Sequence, residues 1–214
     1  MKHKGNWVAI LDFGSQYTHL IARRVREAGV YSEIIPYNSS KKVILKKQPG
    51  ALIISGGPSS IYAKNAPLCV KDIFSLGIPV LGICYGAQLM AHFCGGKIGA
   101  STQREYGRAV VSVKSKKDLF KGLLKNEKVW MSHGDRIERL PRGFSIIGTS
   151  LNSPVAAMAH TKKKLFGVQF HPEVIHTVHG KKMIRNFLFS VSGLTRDWNM
   201  GSFIDSSVKD IRDK

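Results

Sequence analysis

The chain has 214 residues, of which 43% are hydrophobic and 22% charged. That composition belongs to a globular protein with a sizeable buried core and excludes a largely disordered chain. Lys and Arg number 33 against 14 Asp and Glu, a formal charge of +19; such an excess favours anionic partners but says nothing about fold. No apolar run reaches the roughly 20 residues that span a bilayer. The first residues, Met1-Lys2-His3-Lys4-Gly5, lead into a strand-like run without a signal-peptide h-region, so a cytoplasmic, reducing compartment is expected. The three cysteines, Cys69, Cys84 and Cys94, cannot all pair and lack CxxC spacing, which argues against a disulfide framework or a cysteine-rich zinc site.

Residues 7–11 read as a buried strand, and Asp12-Phe13-Gly14-Ser15 turns the chain. Tyr17, Leu20, Ile21, Val25 and Ala28 then recur at helical spacing up to Gly29. Residues 51–54 form a second buried strand closed by Ser55-Gly56-Gly57-Pro58, and residues 67–76 suit a helix with proline in its first turn. Residues 80–83 are another strand, followed by a helix from Gly86 to Phe93 that stops at Gly95-Gly96. This alternation predicts an α/β fold: an open, mostly parallel twisted sheet with helices on both faces. The second half changes character. Strands are expected at residues 109–113, 129–132, 145–148, 155–160 and 165–170, additional and antiparallel, and a closing helix at 181–190. Apolar patterning thins beyond Arg196, and residues 206–214 resemble a linker or the start of a further segment.

The strongest local signal is Leu81-Gly82-Ile83-Cys84-Tyr85-Gly86-Ala87-Gln88. An apolar strand running into Gly-x-Cys-x-Gly and then a helix is the cysteine counterpart of a nucleophile elbow. The helix N-terminus would favour thiolate; a buried cysteine in an ordinary β–turn–α unit is the alternative. Cys69 and Cys94 sit in apolar helical patterns and read as packing residues. A cysteine nucleophile needs a base and an orienting group. His171-Pro172-Glu173, after an apolar strand, supplies both, because positions i and i+2 of an extended backbone face the same side. Ser55-Gly56-Gly57-Pro58-Ser59-Ser60 reads as a phosphate cradle, an oxyanion loop or a plain turn; Pro58 removes a backbone donor from the first of these. His171, His176 and His179 match no metal-site spacing, so no metal is expected. The basic blocks at residues 41–42, 46–47, 114–117, 162–164 and 181–182 are dispersed and lack interleaved aromatics. They read as a solvated face, and nucleic acid is not an expected partner.

Together, Gly57, the Cys84 elbow and His171-Pro172-Glu173 resemble the class I (triad) glutamine amidotransferases, over the chain to about Arg196. The resemblance narrows to the amidotransferase domains of GMP synthetases in Asp12-Phe13-Gly14-Ser15-Gln16-Tyr17, Arg23-Arg24-Val25-Arg26-Glu27, Gly82 to Gln88 and Trp130-Met131-Ser132-His133-Gly134-Asp135. Relatives serving other synthases often carry Leu-Gly-His where this chain has Tyr85-Gly86-Ala87.

The resemblance implies a flavodoxin-like sheet and glutamine as substrate. It implies Cys84 as nucleophile, His171 as base, Glu173 orienting it, and the amides of Gly57 and Tyr85 as oxyanion hole. It also implies that Gln88, Ser132, His133 and Asp135 hold the α-amino and α-carboxyl ends of glutamine. Gln88 lies one helical turn after Cys84, on the same face. The implied partner is an ATP-pyrophosphatase domain, in cis or as a separate subunit, that aminates xanthosine monophosphate. Residues 1–196 would be the amidotransferase domain and 197–214 a junction. No cofactor is implied in this chain; ATP and Mg2+ belong to the partner domain. The other enzymatic readings are an amidotransferase for another synthase or a γ-glutamyl hydrolase, and the non-enzymatic one is a basic nucleotide- or nucleic-acid-binding module.

Overall fold

The computed structural model describes residues 4–57, 60–201 and 212. Four helices and nine strands run in the order β1 (Trp7–Asp12), α1 (Thr18–Glu27), β2 (Tyr31–Pro36), α2 (Lys41–Lys47), β3 (Ala51–Ile54), β4 (Val80–Ile83), α3 (Tyr85–Phe93), β5 (Lys97–Val113), β6 (Asn126–Arg139), β7 (Ser145–Thr149), β8 (Ala157–His160), β9 (Leu165–Val168) and α4 (Gly180–Arg185) among the described residues. They build one sheet in the order β2-β1-β3-β4-β9-β8-β7-β5-β6. The first five strands in that order are parallel, and the rest are antiparallel.

The parallel half is apolar on both faces, and its side chains alternate strictly between two cores. Val8 and Ile10 join Ala51, Ile53, Leu81 and Ile83 on one side. Trp7, Ala9 and Leu11 join Leu52, Ile54 and Val80 on the other. A period of two with both faces filled is what a sheet covered by helices requires. Helix α1 packs by Thr18, Ile21, Ala22 and Val25, the i, i+3, i+4, i+7 stripe of an amphipathic helix. No helix among the described residues is long and apolar enough to cross a membrane.

Several expected elements differ. The helix expected at 67–76 is only a 3-10 turn over Lys71–Ser75. The Pro67 carbonyl accepts a hydrogen bond from the Tyr85 hydroxyl at 2.8 Å, and Val70 is extended, so the proline opens an extended stretch instead. The strand expected at 165–170 ends at Val168. The closing helix is α over Gly180–Arg185 and widens to π over Asn186–Val191, where the Asn186 amide donates to the carbonyls of Leu119 and Lys121. Strand β2 and helix α2 are additional to the expected elements. Only Ile44 of α2 is buried, and Ser40 caps it by accepting from the Val43 amide. Near the C-terminus, Trp198 donates its backbone N–H to Gly29 O, so the described chain still packs on the body there. The junction expected at 197–214 falls largely on residues 202–211 and 213–214, outside the described residues.

Candidate active site

The C-terminal ends of β1, β3, β4 and β9 align, with Leu11 paired to Ile54, Ile54 to Gly82, and Ile83 to Val168. The chain leaves β1 for β2 on one side and returns to β3 on the other. That reversal makes a crevice at the strands' carboxyl ends, where open α/β sheets hold ligands. The candidate residues converge there.

Cys84 sits between β4 and α3 with φ 50° and ψ −105°. A non-glycine residue at positive φ carries strain that its surroundings must hold. The flanking glycines make the turn possible. A Cβ on Gly82 would lie 2.6 Å from the Gly86 carbonyl carbon, and one on Gly86 would lie 2.4 Å from Ile54 O. The Cys84 amide is tied to Val168 O at 2.8 Å, its thiol donates to Ser132 O at 3.6 Å, and its carbonyl accepts from the Ala87 and Gln88 amides. Burial pushes Cys69 up to about 12 and raises Cys94, so neither favours thiolate.

The His171 ring is buried, with Nδ1 2.7 Å from Glu173 Oε1. This approach is made in a turn beyond β9, not along an extended strand as the spacing predicted. The turn is pinned from outside. His171 N–H donates to Trp130 O, the Thr177 hydroxyl donates to His171 O, and Arg24 Nε donates to Glu173 O at 2.9 Å. The Tyr17 ring meets the imidazole edge-on, centroids 5.1 Å apart. Burial works to lower the basicity of His171. Hydrogen bonds to Cys84 and Glu173, with their negative charge, outweigh it and push the pKa up to about 10. The ring can therefore hold a proton beside Cys84. Neither His176 nor His179 joins it: His176 stacks on Trp130, and His179 pairs with Glu127. Among the described residues no cluster of three or more His, Cys, Asp or Glu could hold a metal ion.

In front of Cys84 lies a cavity of about 250 Å3, lined by Gly57, Tyr85, Gln88, Ser132, His133 and Asp135, with Ser60, Tyr106 and Gly134 also contributing. Its size suits a small metabolite, below the roughly 300–1,000 Å3 of drug-sized pockets. Gly57 faces the Tyr85 ring so closely that a Cβ there would lie 3.0 Å from two ring carbons. The loop before it is held by the Ser55 hydroxyl, which accepts from the Phe13 amide and donates to Gly56 O. Pro58 and Ser59 of that loop lie outside the described residues. Gln88 Nε2 donates to Asp135 O at 2.9 Å, and Asp135 Oδ2 is buried without a hydrogen bond.

Sequence reasoning missed Glu105, Tyr17, Arg24 and Thr177 as neighbours of these groups. Glu105 lies before the strand expected at 109–113 and comes into β5 only because that strand is longer than expected. The others become visible only when distant segments meet.

The Glutamine amidotransferase class-I family matches residues 9–191. The GMP synthase [glutamine-hydrolyzing] of Caldanaerobacter subterraneus subsp. tengcongensis is 53% identical over 211 residues, 99% of this chain and 41% of the relative. That of Syntrophomonas wolfei is 53% identical over 207 residues, covering 97% of this chain and again 41% of the relative. The chain thus spans about two fifths of the length of these curated relatives. A crystal structure of a putative GMP synthase subunit from Thermoplasma acidophilum superposes with TM-score 0.80 at 29% identity, covering 98% of each chain. A glutamine amidotransferase from Thermotoga maritima shares the fold at TM-score 0.70 and 20% identity, over 89% of this chain and 99% of that one. The chain belongs to the class I glutamine amidotransferases.

Proposed function

We propose that this chain hydrolyses glutamine to glutamate and ammonia, and that the ammonia aminates xanthosine monophosphate to GMP in an ATP-pyrophosphatase domain or subunit. The observation that carries the chemistry is the buried His171–Glu173 pair, 2.7 Å apart, whose imidazole basicity is raised by Cys84 on its strained elbow and by Glu173. Thiolate Cys84 attacks the γ-carboxamide carbon of glutamine. In this reading the oxyanion that develops is met by the backbone N–H groups of Gly57 and Tyr85, two residues that line the cavity with Cys84. The imidazolium of His171 gives its proton to the leaving nitrogen, and ammonia departs from a γ-glutamyl thioester. Water then adds to the thioester, His171 takes its proton and returns it to the sulfur, and glutamate leaves. Glu173 keeps the ring oriented throughout and holds the Nδ1 proton.

Gln88, Ser132, His133 and Asp135 line the same cavity and hold the amino-acid end of glutamine. The unpaired Asp135 carboxylate oxygen suits an α-ammonium group. ATP and Mg2+ act in the partner domain. Residues 1–196 are the amidotransferase domain in this reading, and 197–214 lead toward the partner. The GMP assignment draws on the two GMP synthases that match nearly the whole chain.

The test combines the chain with its synthase part, xanthosine monophosphate, ATP and Mg2+. Cys84→Ala is expected to abolish glutamine-dependent GMP formation, by roughly a thousandfold or more, while added ammonium restores it. GMP formation from glutamine by the Cys84→Ala protein at the wild-type rate would overturn the assignment.

A further inference from the structure

Strand β5 loses register with β6 between Ala100 and Glu105, while the partner on β6 moves only from Asp135 to His133. Irregularities of this kind cluster beside functional sites, where they re-aim side chains. This one brings Glu105 directly opposite His133, which lines the candidate glutamine cavity. Glu105 is itself buried, and its carboxylate gathers three groups. Ser153 Oγ donates at 2.6 Å, Ser150 Oγ donates at 2.9 and 3.1 Å, and His133 Nε2 lies 3.3 Å from Oε2, just outside hydrogen-bond geometry. The serines come from the connection between β7 and β8, so three segments converge on one carboxylate.

We propose that Glu105 is a positioning residue for substrate selection: it fixes the tautomer of His133, so that the remaining ring nitrogen accepts from the α-ammonium group of glutamine. The proposal rests on the glutaminase reading and deepens it. An ionised carboxylate only accepts hydrogen bonds, so the imidazole nitrogen facing it carries the proton. In a neutral ring Nδ1 is then an acceptor. Burial opposes ionisation of Glu105, but the neighbouring His133 imidazole and the hydrogen bonds from Ser153 and Ser150 hold it down to about 2, an anion at any working pH. His133 Nδ1 and Asp135 Oδ2 are both buried without a partner in the same wall. An unmet buried acceptor is costly. Two of them together match a group that only donates, such as an ammonium with three N–H bonds. Amides or hydroxyls alone would not need a carboxylate-locked histidine.

The experiment measures how glutamine protects Cys84 of the full chain from alkylation by iodoacetamide, against protection by 4-carbamoylbutanoate, which is glutamine without its α-amino group. The wild type is expected to prefer glutamine. In Glu105→Gln the side-chain amide can donate to Nε2, the proton moves to Nδ1, and a donor then faces the ammonium. Protection by glutamine should weaken roughly tenfold while protection by 4-carbamoylbutanoate changes less than about twofold. His133→Phe, which removes the acceptor outright, should give the same selective loss if Glu105→Gln fails to fold. Equal weakening toward both ligands, or an unchanged preference for glutamine, overturns the role of Glu105. Failure of glutamine to protect the wild type, by contrast, overturns the glutaminase reading beneath it.

Discussion

Two carboxylate–imidazole pairs in this molecule are nearly identical in isolation. Glu173 meets His171 Nδ1 at 2.7 Å, and Glu127 meets His179 Nδ1 at 2.8 Å. In both, the carboxylate is buried. The difference is where each ring's far side looks. The His171 side chain is 5% exposed and its basicity is raised by Cys84 and Glu173, at the carboxyl ends of the parallel strands. The His179 side chain is 38% exposed on the N-terminal side of α4, and Glu127 spends its other oxygen on the Leu124 amide. One pair is backed by the proposed nucleophile on a strained elbow, the other by a turn that it ties down. A histidine held by a carboxylate is therefore no signature of catalysis. The strand ends and the elbow decide which pair can do chemistry.

Replacing the carboxylate by its isosteric amide in each pair tests that conclusion, and Glu173→Gln has the largest expected effect. The glutamine amide would donate to Nδ1, forcing the ring proton onto the nitrogen that faces Cys84 and leaving no lone pair to receive the thiol proton. Glutamine hydrolysis is expected to fall by roughly a thousandfold or more, the scale at which a wrong tautomer disables a catalytic histidine. A steady-state assay run below the Tm of both proteins checks it. The pH dependence has a definite sign. His171 is raised from 6.5 to about 10, so its interactions stabilise the fold fully below 6.5, and that contribution is lost as pH rises through about 10. Without the Glu173 charge the folded pKa falls. The Tm advantage of the wild type over Glu173→Gln should therefore shrink between those two pH values, and the basic limb of Cys84 alkylation should move to lower pH in the variant.

Gly86→Ala comes next, because it disturbs the elbow without touching a reacting group. The new Cβ would lie 2.4 Å from Ile54 O and 2.8 Å from its Cγ2, so backbone has to move. A displacement of order 1 Å at the nucleophile costs roughly a hundredfold in rate. The overpacking adds about 1–3 kcal/mol of destabilisation. A rate loss in kcat far larger than the thermal denaturation shift accounts for would locate the effect at Cys84. Full activity would show that the turn tolerates a wider path.

How much of this was legible in the sequence follows the same division. The strands of the parallel half are continuous apolar runs, and their glycine-rich exits carry Gly57 and the Cys84 elbow, so both the fold and the elbow read locally. His171 and Glu173 read as a pair, but through an extended backbone that ends at Val168. The turn that brings them together depends on Arg24, Trp130 and Thr177, each from a distant segment. Helix α2 buries one residue, so its period was hidden within two lysine pairs. Pro67 looked like a helix start because nothing local reveals that Tyr85 claims its carbonyl. In the antiparallel half, alternation marked the strands but not their extent. Glu105 in β5 and His133 in β6 face each other only through a register that the irregularity after Ala100 sets.

The smallest expected effect belongs to Glu127→Gln, and it is the control that gives the comparison its edge. The amide oxygen can keep the hydrogen bond from the Leu124 N–H, which is 2.7 Å from Glu127 Oε1. Its NH2 would then face His179 Nδ1, and the half-exposed ring can move its proton to the other nitrogen, in contact with water. Nothing buried is left unpaired, so the loss is that of one charge-assisted hydrogen bond exchanged for a neutral one, about 1 kcal/mol. In a domain of this size that lowers Tm by roughly 2–4 °C. Glutamine hydrolysis should stay within about twofold of wild type, because the tautomer that changes faces solvent and not a thiol. The same chemical edit would then be costly at residue 173 and nearly silent at residue 127. Measured together, activity and thermal denaturation of the two variants separate a carboxylate that sets a reacting ring from one that only closes a turn. A loss of activity at Glu127→Gln comparable with that at Glu173→Gln would mean that the α4 side of the molecule is coupled to Cys84, and that the position of the ring relative to the nucleophile is not what distinguishes the pairs.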